Sequence, residues 1–457
     1  MNSEPMDEGA DKGAESAADF ELTALQLISA SGKLIDLSMI MIELNIFEDL
    51  FSPVLTGTLL IADVNDLTNV LPIIGYEYLQ VSFNKMGENS TDTYSKTFRI
   101  YKKSEQTRIG LQPEIFILHF CSEELLINES TRVSKSYANM TIDQIIYDIG
   151  SSFLKIGNKR FPKGNVQLTS GIHELIVPNW KPFQAINWLC QRAISPVNRG
   201  ATFLFYETQK GFYFSDLQTL AKQKPVDKLI YGPKAVDLRN ANFGDISESG
   251  IEDYVVKNMF DTLSMMQTGG LAGTLIAVDP LRQSIKETKY TLPEQWNKTQ
   301  HLNQHPLTSY AKTRTGKALH ESSESFRRVH ITTLGHDQLA YARKQKTSLH
   351  PNNVEQWFIP RTMYFSHLKQ IKLEVVLPGH PTLQIGHVVD VEIPAPDHHD
   401  PGDPYNVDKH LSGRFLITAL RHKIDRTAHS NIVELVKDSS IVPPTQDLNM
   451  LQEVRKL

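Results

Sequence analysis

Ile74-Gly-Tyr-Glu-Tyr-Leu-Gln-Val-Ser-Phe83 and Ile385-Gly-His-Val-Val-Asp-Val-Glu-Ile393 are two versions of one pattern, a glycine turn feeding an alternating run. Alternation with period two marks a strand with one buried face, and Gly75 and Gly386 supply the backbone freedom for the turn before it. The downstream strands repeat as well. Phe98-Arg-Ile-Tyr101 and Ile115-Phe-Ile-Leu-His119 come after the first run, Phe415-Leu-Ile-Thr418 and Ile432-Val-Glu-Leu-Val436 after the second. Phe98 to Ile115 and Phe415 to Ile432 are the same 17-residue step, whereas the upstream steps are 24 residues (from Ile74) and 30 residues (from Ile385). A Pro/His/Asp loop fills the longer one. The pattern therefore reads as two copies of one antiparallel β-barrel unit.

Outward from this repeat, Leu34–Ile42, Gly57–Ala62 and Glu114–Phe120 are further apolar or β-branched runs. Several short strands with no long helical period between them indicate a barrel or sandwich. The character changes at Met140–Ile149, where Ile142, Ile145, Ile146 and Ile149 share one face of a helix with Thr141 as its cap. Val177–Pro182 then leads into Phe183, Ile186, Leu189 and Ile194 at near-helical spacing, and Ala201–Tyr206 with Gly211–Phe214 reads as a hairpin. Trp180 and Trp188 read as core residues. Ile251–Met266 fits helix or strand, Thr268–Gly273 a flexible turn, and Tyr290–His350 a polar surface excursion with one or two short helices.

The fold class is thus mainly β with an α+β insertion: two similar antiparallel β-barrel domains plus an inserted mixed domain. The boundaries are an acidic leader at 1–19, a first barrel at 20–125, and the insertion at 126–228. A span at 229–356 starts the second barrel and carries the polar excursion, 357–440 completes that barrel, and 441–457 is a tail.

A chain of 457 residues, 40% of them hydrophobic, exceeds what a single core supports. Its formal net charge of -5 argues against a general nucleic-acid binder, which needs a basic excess to displace counterions from phosphates. Two cysteines, Cys121 and Cys190, both in apolar runs, read as buried thiols. No basic-then-apolar leader or membrane-length apolar run occurs, so synthesis in the cytosol without membrane insertion is expected. Residues 1–19 hold six acidic side chains against one lysine and read as a solvated, disordered leader.

Candidate chemistry is sparse. Asp397-His-His-Asp400 with Asp403, Asp408 and His410 has metal-ligating residue types, but the surrounding prolines leave nothing to fix ligand geometry. His301 and His305 run straight into Pro306, which disfavours a helix that would align them. Phosphate-binding glycine loops and nucleophile elbows are absent, and no catalytic, cofactor or metal residue is assigned. Arg314, Lys317, Arg327, Arg328, Arg343, Lys344 and Lys346 read as a solvated face.

Three stretches carry a family resemblance. Asn45-Ile-Phe-Glu-Asp-Leu-Phe-Ser-Pro-Val-Leu-Thr-Gly-Thr-Leu-Leu-Ile-Ala-Asp63 leads to Leu71-Pro-Ile-Ile-Gly-Tyr-Glu77. Trp180-Lys-Pro-Phe-Gln-Ala-Ile-Asn-Trp-Leu189 precedes the Phe203–Phe214 hairpin. Leu377-Pro-Gly-His-Pro-Thr-Leu-Gln-Ile-Gly386 precedes Ser412-Gly-Arg-Phe-Leu-Ile-Thr418. In this order they resemble the central baseplate hub proteins of contractile-tailed bacteriophages, relatives of the first part of type VI secretion spike proteins. The resemblance implies two tail-tube-like barrels per subunit and a homotrimeric ring of six barrels around a channel through which DNA only passes.

Such a ring adapts a threefold central spike to the sixfold tail tube. Partners implied are the spike, tail tube or tube-initiator proteins, the tape-measure protein and the baseplate wedge, in a virion tail assembled in the host cytoplasm. Tyr78, Gln80, Ser82, Val388, Asp390 and Glu392 are the strand residues expected to line or abut the channel or a subunit contact. The alternatives are a type VI secretion or tailocin hub or spike component, and a metal-dependent cell-wall hydrolase. The absence of a glycine-rich needle after the second barrel favours a separate spike.

Overall fold

The computed structural model describes residues 20–29, 32–63, 73–85, 93–108, 114–231, 250–280, 283–307, 318–321, 325–331, 354–395 and 407–443. The leader at 1–19, Asp397–Asp403, and Arg314, Lys317, Arg343, Lys344 and Lys346 lie outside them.

Seven strands make the first set: β1 (Phe20–Ile28), β2 (Leu34–Asp36), β3 (Met41–Asp49), β4 (Thr56–Asp63), β5 (Tyr78–Lys85), β6 (Thr93–Arg108) and β7 (Glu114–Cys121). They pair antiparallel in the order β3-β4-β7-β6-β5-β1-β2. Alternation builds the core. Along β4 and β5 every second residue is buried, so Leu59, Ile61, Leu79, Val81 and Phe83 join Phe98, Phe116, Leu118 and Phe120 in one core. Gly57 is required there, because a Cβ would sit 2.2 Å from the Phe120 ring.

The inserted module comes next, with α1 (Glu123–Ser130), β8 (Val133–Met140), α2 (Ile142–Asp148), β9 (His173–Trp180), α3 (Pro182–Arg192), β10 (Phe203–Thr208), β11 (Gly211–Asp216) and α4 (Leu217–Ala221). Ile142, Ile145, Ile146 and Ile149 are all buried in its core, as their spacing implies. The Gln144 side chain accepts from the Thr141 backbone N–H at 3.2 Å, closing the start of α2. Pro182 opens α3, where a missing N–H costs nothing. Trp180 and Trp188 meet edge to face at 5.5 Å against that core. Val177–Trp180, read as a lead-in to helix, is instead the end of β9.

The chain then lays down β12 (Asp227–Tyr231), β13 (Gly250–Ile251) and β14 (Asp253–Asn258), and after them an excursion. The excursion holds α5 (Thr262–Thr268), β15 (Ala272–Asp279), β16 (Ser284–Thr291), α6 (Leu292–Trp296), β17 (His305–Pro306), β18 (Arg327–Ile331) and α7 (Val354–Leu368). Beyond it lie β19 (Ile371–Pro378), β20 (Val388–Glu392), β21 (Gly413–Asp425), β22 (His429–Lys437) and β23 (Ser439–Ser440). Within the 290–350 span read as polar with short helices, the described residues hold α6, a helical turn at Leu319–Glu321 and the short strands β17 and β18, and β18 completes a three-stranded sheet, β16-β15-β18, whose other strands lie mostly before that span. The boundary drawn at 357 falls inside α7. This helix is apolar on several sides because it is buried, and Arg361 on it donates to the carbonyls of Ala201 and Phe203 at 2.8 and 3.1 Å.

The second set runs β14-β19-β22-β21-β20-β12-β13, which places its seven strands where β3-β4-β7-β6-β5-β1-β2 stand in the first. One strand departs from the repeat: β12 is parallel to β20, whereas β1 is antiparallel to β5. Bulges fix the correspondence. Ile100 pairs with Phe120 and Lys102 with His119 across a bulge, and Ile417 pairs with Leu435 and Ala419 with Glu434 across another. Phe98 thus matches Phe415, but Phe120 matches Leu435. The 17-residue step names the right strands and misaligns β7 and β22 by two residues, a shift that leaves every side chain on its own face. Among the described residues neither ladder closes on itself.

Candidate assembly interface

The two sets are joined by one ladder. Ala419–Asp425 of β21 pair antiparallel with Asp49–Glu43 of β3, while the opposite edge of the same segment pairs with β22. Arg421 Nε donates to Asn45 Oδ1 at 2.7 Å, and Glu43 accepts from Arg421 at 3.2 Å with Lys423 Nζ 3.8 Å away. Ile424 enters the core of the first set. Buried His422 and His429 stand 3.2 Å apart against Phe83, and burial pushes His422 down to about 3, so both rings stay neutral.

A second junction clamps the insertion to both sets. Glu207, at the end of β10 and fully buried, accepts from Leu55 N at 2.9 Å and Ser122 Oγ at 2.6 Å. It is also paired with Lys96 at 2.6 Å and with Arg160, which reaches on to Glu124. Glu48 of β3 accepts from Gln209 N in the insertion and, more weakly, from Ile385 N in the second set. Burial raises its carboxyl to about 7. Sequence reading missed this group; the available signal was a glutamate, Glu207, directly after the apolar and aromatic run Phe203-Leu-Phe-Tyr206.

The residues singled out from sequence fall on two faces. Tyr78, Gln80 and Ser82 alternate with buried Leu79, Val81 and Phe83, and Asp390 and Glu392 point away from the core in the same way. Val388 does not. It is fully buried, in the core that also contains Tyr206, Leu217 and Leu220 of the insertion. Tyr78 donates to Glu123 at 2.9 Å, with Arg99 4.1 Å above its ring. Gln80 sits between Gln26 and Thr97, and Ser82 between Ala24 and Ser95, so amides and hydroxyls are common on this part of the outer face, beside the Tyr78–Arg99 pair. In the second set Lys228 pairs with Glu392 at 2.7 Å. Gly75 and Gly386 both adopt left-handed backbone, φ +93° and +81°.

Among the described residues no group of three His, Cys, Asp or Glu could hold a metal. Asp408 caps a turn through His410 N and Leu411 N, and His301 bonds Asp438 at 2.7 Å while stacking on Trp296. Cys121 and Cys190 are buried free thiols pushed up to about 12 by burial. Arg327 lies 3.5 Å from Glu287 and Arg328 lies over Phe326. No helix among the described residues is long and apolar enough to cross a membrane.

The fold is that of phage and prophage tail proteins. The tail protein from Neisseria meningitidis MC58 superposes with a TM-score of 0.51 at 13% identity, covering 92% of this chain and 99% of that one. The prophage MuSo2 43 kDa tail protein from Shewanella oneidensis gives a TM-score of 0.50 at 11% identity, covering 91% and 99%. In sequence, the chain is similar to the probable baseplate hub protein gp334 of Vibrio phage KVP40. The two are 20% identical over 435 residues, 87% of this chain and 90% of that protein. No protein-family model matches.

Proposed function

We propose that this chain is the structural hub of a phage tail baseplate, a homotrimeric ring that adapts a threefold spike to the sixfold tail tube. The observation that carries the reading is the repeated seven-strand order, joined across β3 and β21. Three copies of a chain with two equivalent units present six near-equivalent surfaces, which is what a threefold-to-sixfold adaptor needs. Similarity to a probable baseplate hub protein over most of both chains supports the same reading.

In the ring, Tyr78, Gln80, Ser82, Asp390 and Glu392 border the channel. These five residues are neutral or acidic, and the cations beside them, Arg99 on the Tyr78 ring and Lys228 on Glu392, are already engaged, so DNA slides past a lumen that holds phosphates weakly. Partners are the central spike, the tail tube or its initiator, the tape-measure protein and the baseplate wedge, in a virion tail assembled in the host cytoplasm. No enzymatic step belongs to the role. Sedimentation of the purified chain, alone and with the spike protein, tests it: a threefold mass in either sample supports the hub, and a monomer in both contradicts it.

A further inference from the structure

We propose that β14 of one copy pairs antiparallel with the distal half of β6, Lys102–Arg108, of the next copy, so that each junction between chains repeats the junction within a chain. The proposal rests on the trimeric reading and assigns its subunit contact.

The ladder inside the chain joins the outer edge of β3 in one unit to the distal half of β21 in the other. The strand orders make β14 the counterpart of β3 and β6 the counterpart of β21. Each of those counterparts has an edge to spare. β5 pairs with β6 only over Thr93–Arg99, and β14 pairs only with β19, so among the described residues no strand pairs with the second edge of Lys102–Arg108 or of β14. Val255 and Val256 on β14 are 46% and 37% exposed, and Phe260 just beyond is 72% exposed. An open, apolar edge templates strand addition. One chain thus carries the two halves of the same junction at opposite ends, a head-to-tail contact that closes as a ring.

The bulge shared by β6 and β21 sets the register, and a second one in β6, between Ser104 and Thr107, adds one residue that β21 lacks. Through β7 and β22, Thr107 takes the place of Lys423; through β4, β7, β22 and β19, Val255 takes the place of Asn45. Lys423 and Asn45 are ladder partners, so Thr107 faces Val255 of the next copy. Asp253 stands where Glu43 stands, but Ser104 and Thr107 replace Arg421 and Lys423. The junction between chains therefore keeps the backbone ladder and loses the ionic clamp.

The test is a full-length Thr107→Cys/Val255→Cys double variant, oxidised and run on a denaturing gel without reductant. Two- and three-chain bands that collapse on reduction, absent from either single variant, are expected; Cys121 and Cys190 are buried and do not compete. A double variant that sediments as a trimer yet yields no inter-chain band, or only an intra-chain cross-link, overturns this contact and leaves the hub reading standing. A chain that never assembles overturns both. Independently, Val256→Asp on the free edge is expected to weaken the trimer at least tenfold in sedimentation while leaving the monomer's circular dichroism unchanged. An undiminished trimer overturns the proposal.

Discussion

Replacing Glu207 with alanine tests whether the insertion and the first strand set form one mechanical unit. The carboxylate has four partners: Lys96, Arg160, Ser122 Oγ and Leu55 N. Lys96, with a side chain only 7% exposed, loses its ion-pair partner and keeps only a long contact of 3.5 Å to the Thr208 carbonyl, and breaking one partner of a buried pair costs about 3–5 kcal/mol. Arg160 is 40% exposed and keeps Glu124, so its loss is small. The orphaned Leu55 N–H adds about 1 kcal/mol or more, offset in part by water entering the vacated space. A net loss of about 4 kcal/mol is expected in urea unfolding monitored by tryptophan fluorescence, with Trp180 and Trp188 reporting the insertion. Glu207→Gln, which still accepts from one N–H, should lose less. A Glu207→Ala stability within about 1 kcal/mol of the parent refutes the idea that this cluster ties the modules together.

Burial lifts Glu48 from 4.5 to about 7, so the unfolded chain releases that proton first and stability falls as pH rises between those values, by about 3 kcal/mol in all. Glu48→Gln should flatten that part of a melting profile taken from pH 4 to 8, and an unchanged slope contradicts the assignment. Lys437, held neutral-prone at about 7 by burial and donating to the His410 and Ser412 carbonyls, does the reverse. Its penalty is full below pH 7 and fades as pH climbs towards 10.5, so Lys437→Met should remove an alkaline rise in melting temperature. Gly75→Ala and Gly386→Ala each force a left-handed backbone at about 1 kcal/mol, and Gly386→Ala costs more because its Cβ would lie 3.1 Å from Tyr206 Oη. Equal melting temperatures for the two variants would contradict the packing at Gly386.

The repeat is legible where strands are half-buried. Tyr78–Phe83 and Val388–Ile393 alternate because one face meets a core and the other does not, and a left-handed glycine precedes each. Legibility fails where a segment is covered on more than one side or exposed on both. Val388 sits in an outward register but is buried in a core that also holds Tyr206, Leu217 and Leu220 of the insertion, so its apolar character is no guide to its face. β14 and β16 are exposed along most of their lengths and carry mixed residues, which leaves Ile251–Met266 open to either reading and hides the sheet of β15, β16 and β18. The helix α7 has Pro360 inside it and apolar residues on several faces, the signature of burial rather than of a strand. Glu207 lies 111 residues from Lys96 and 47 from Arg160, and only folding brings the three together. No local spacing announces such a cluster.

The most direct measurement is an end-on electron cryo-microscopy reconstruction of the assembled chain, with the spike protein present, at a resolution that separates strands. The predicted result is a threefold ring of six strand sets around an open channel, with β14 laddered onto β6 of the neighbour three times. A particle in which β3 and β21 pair within each chain but the copies meet through other surfaces, or in which no ring forms, would contradict it.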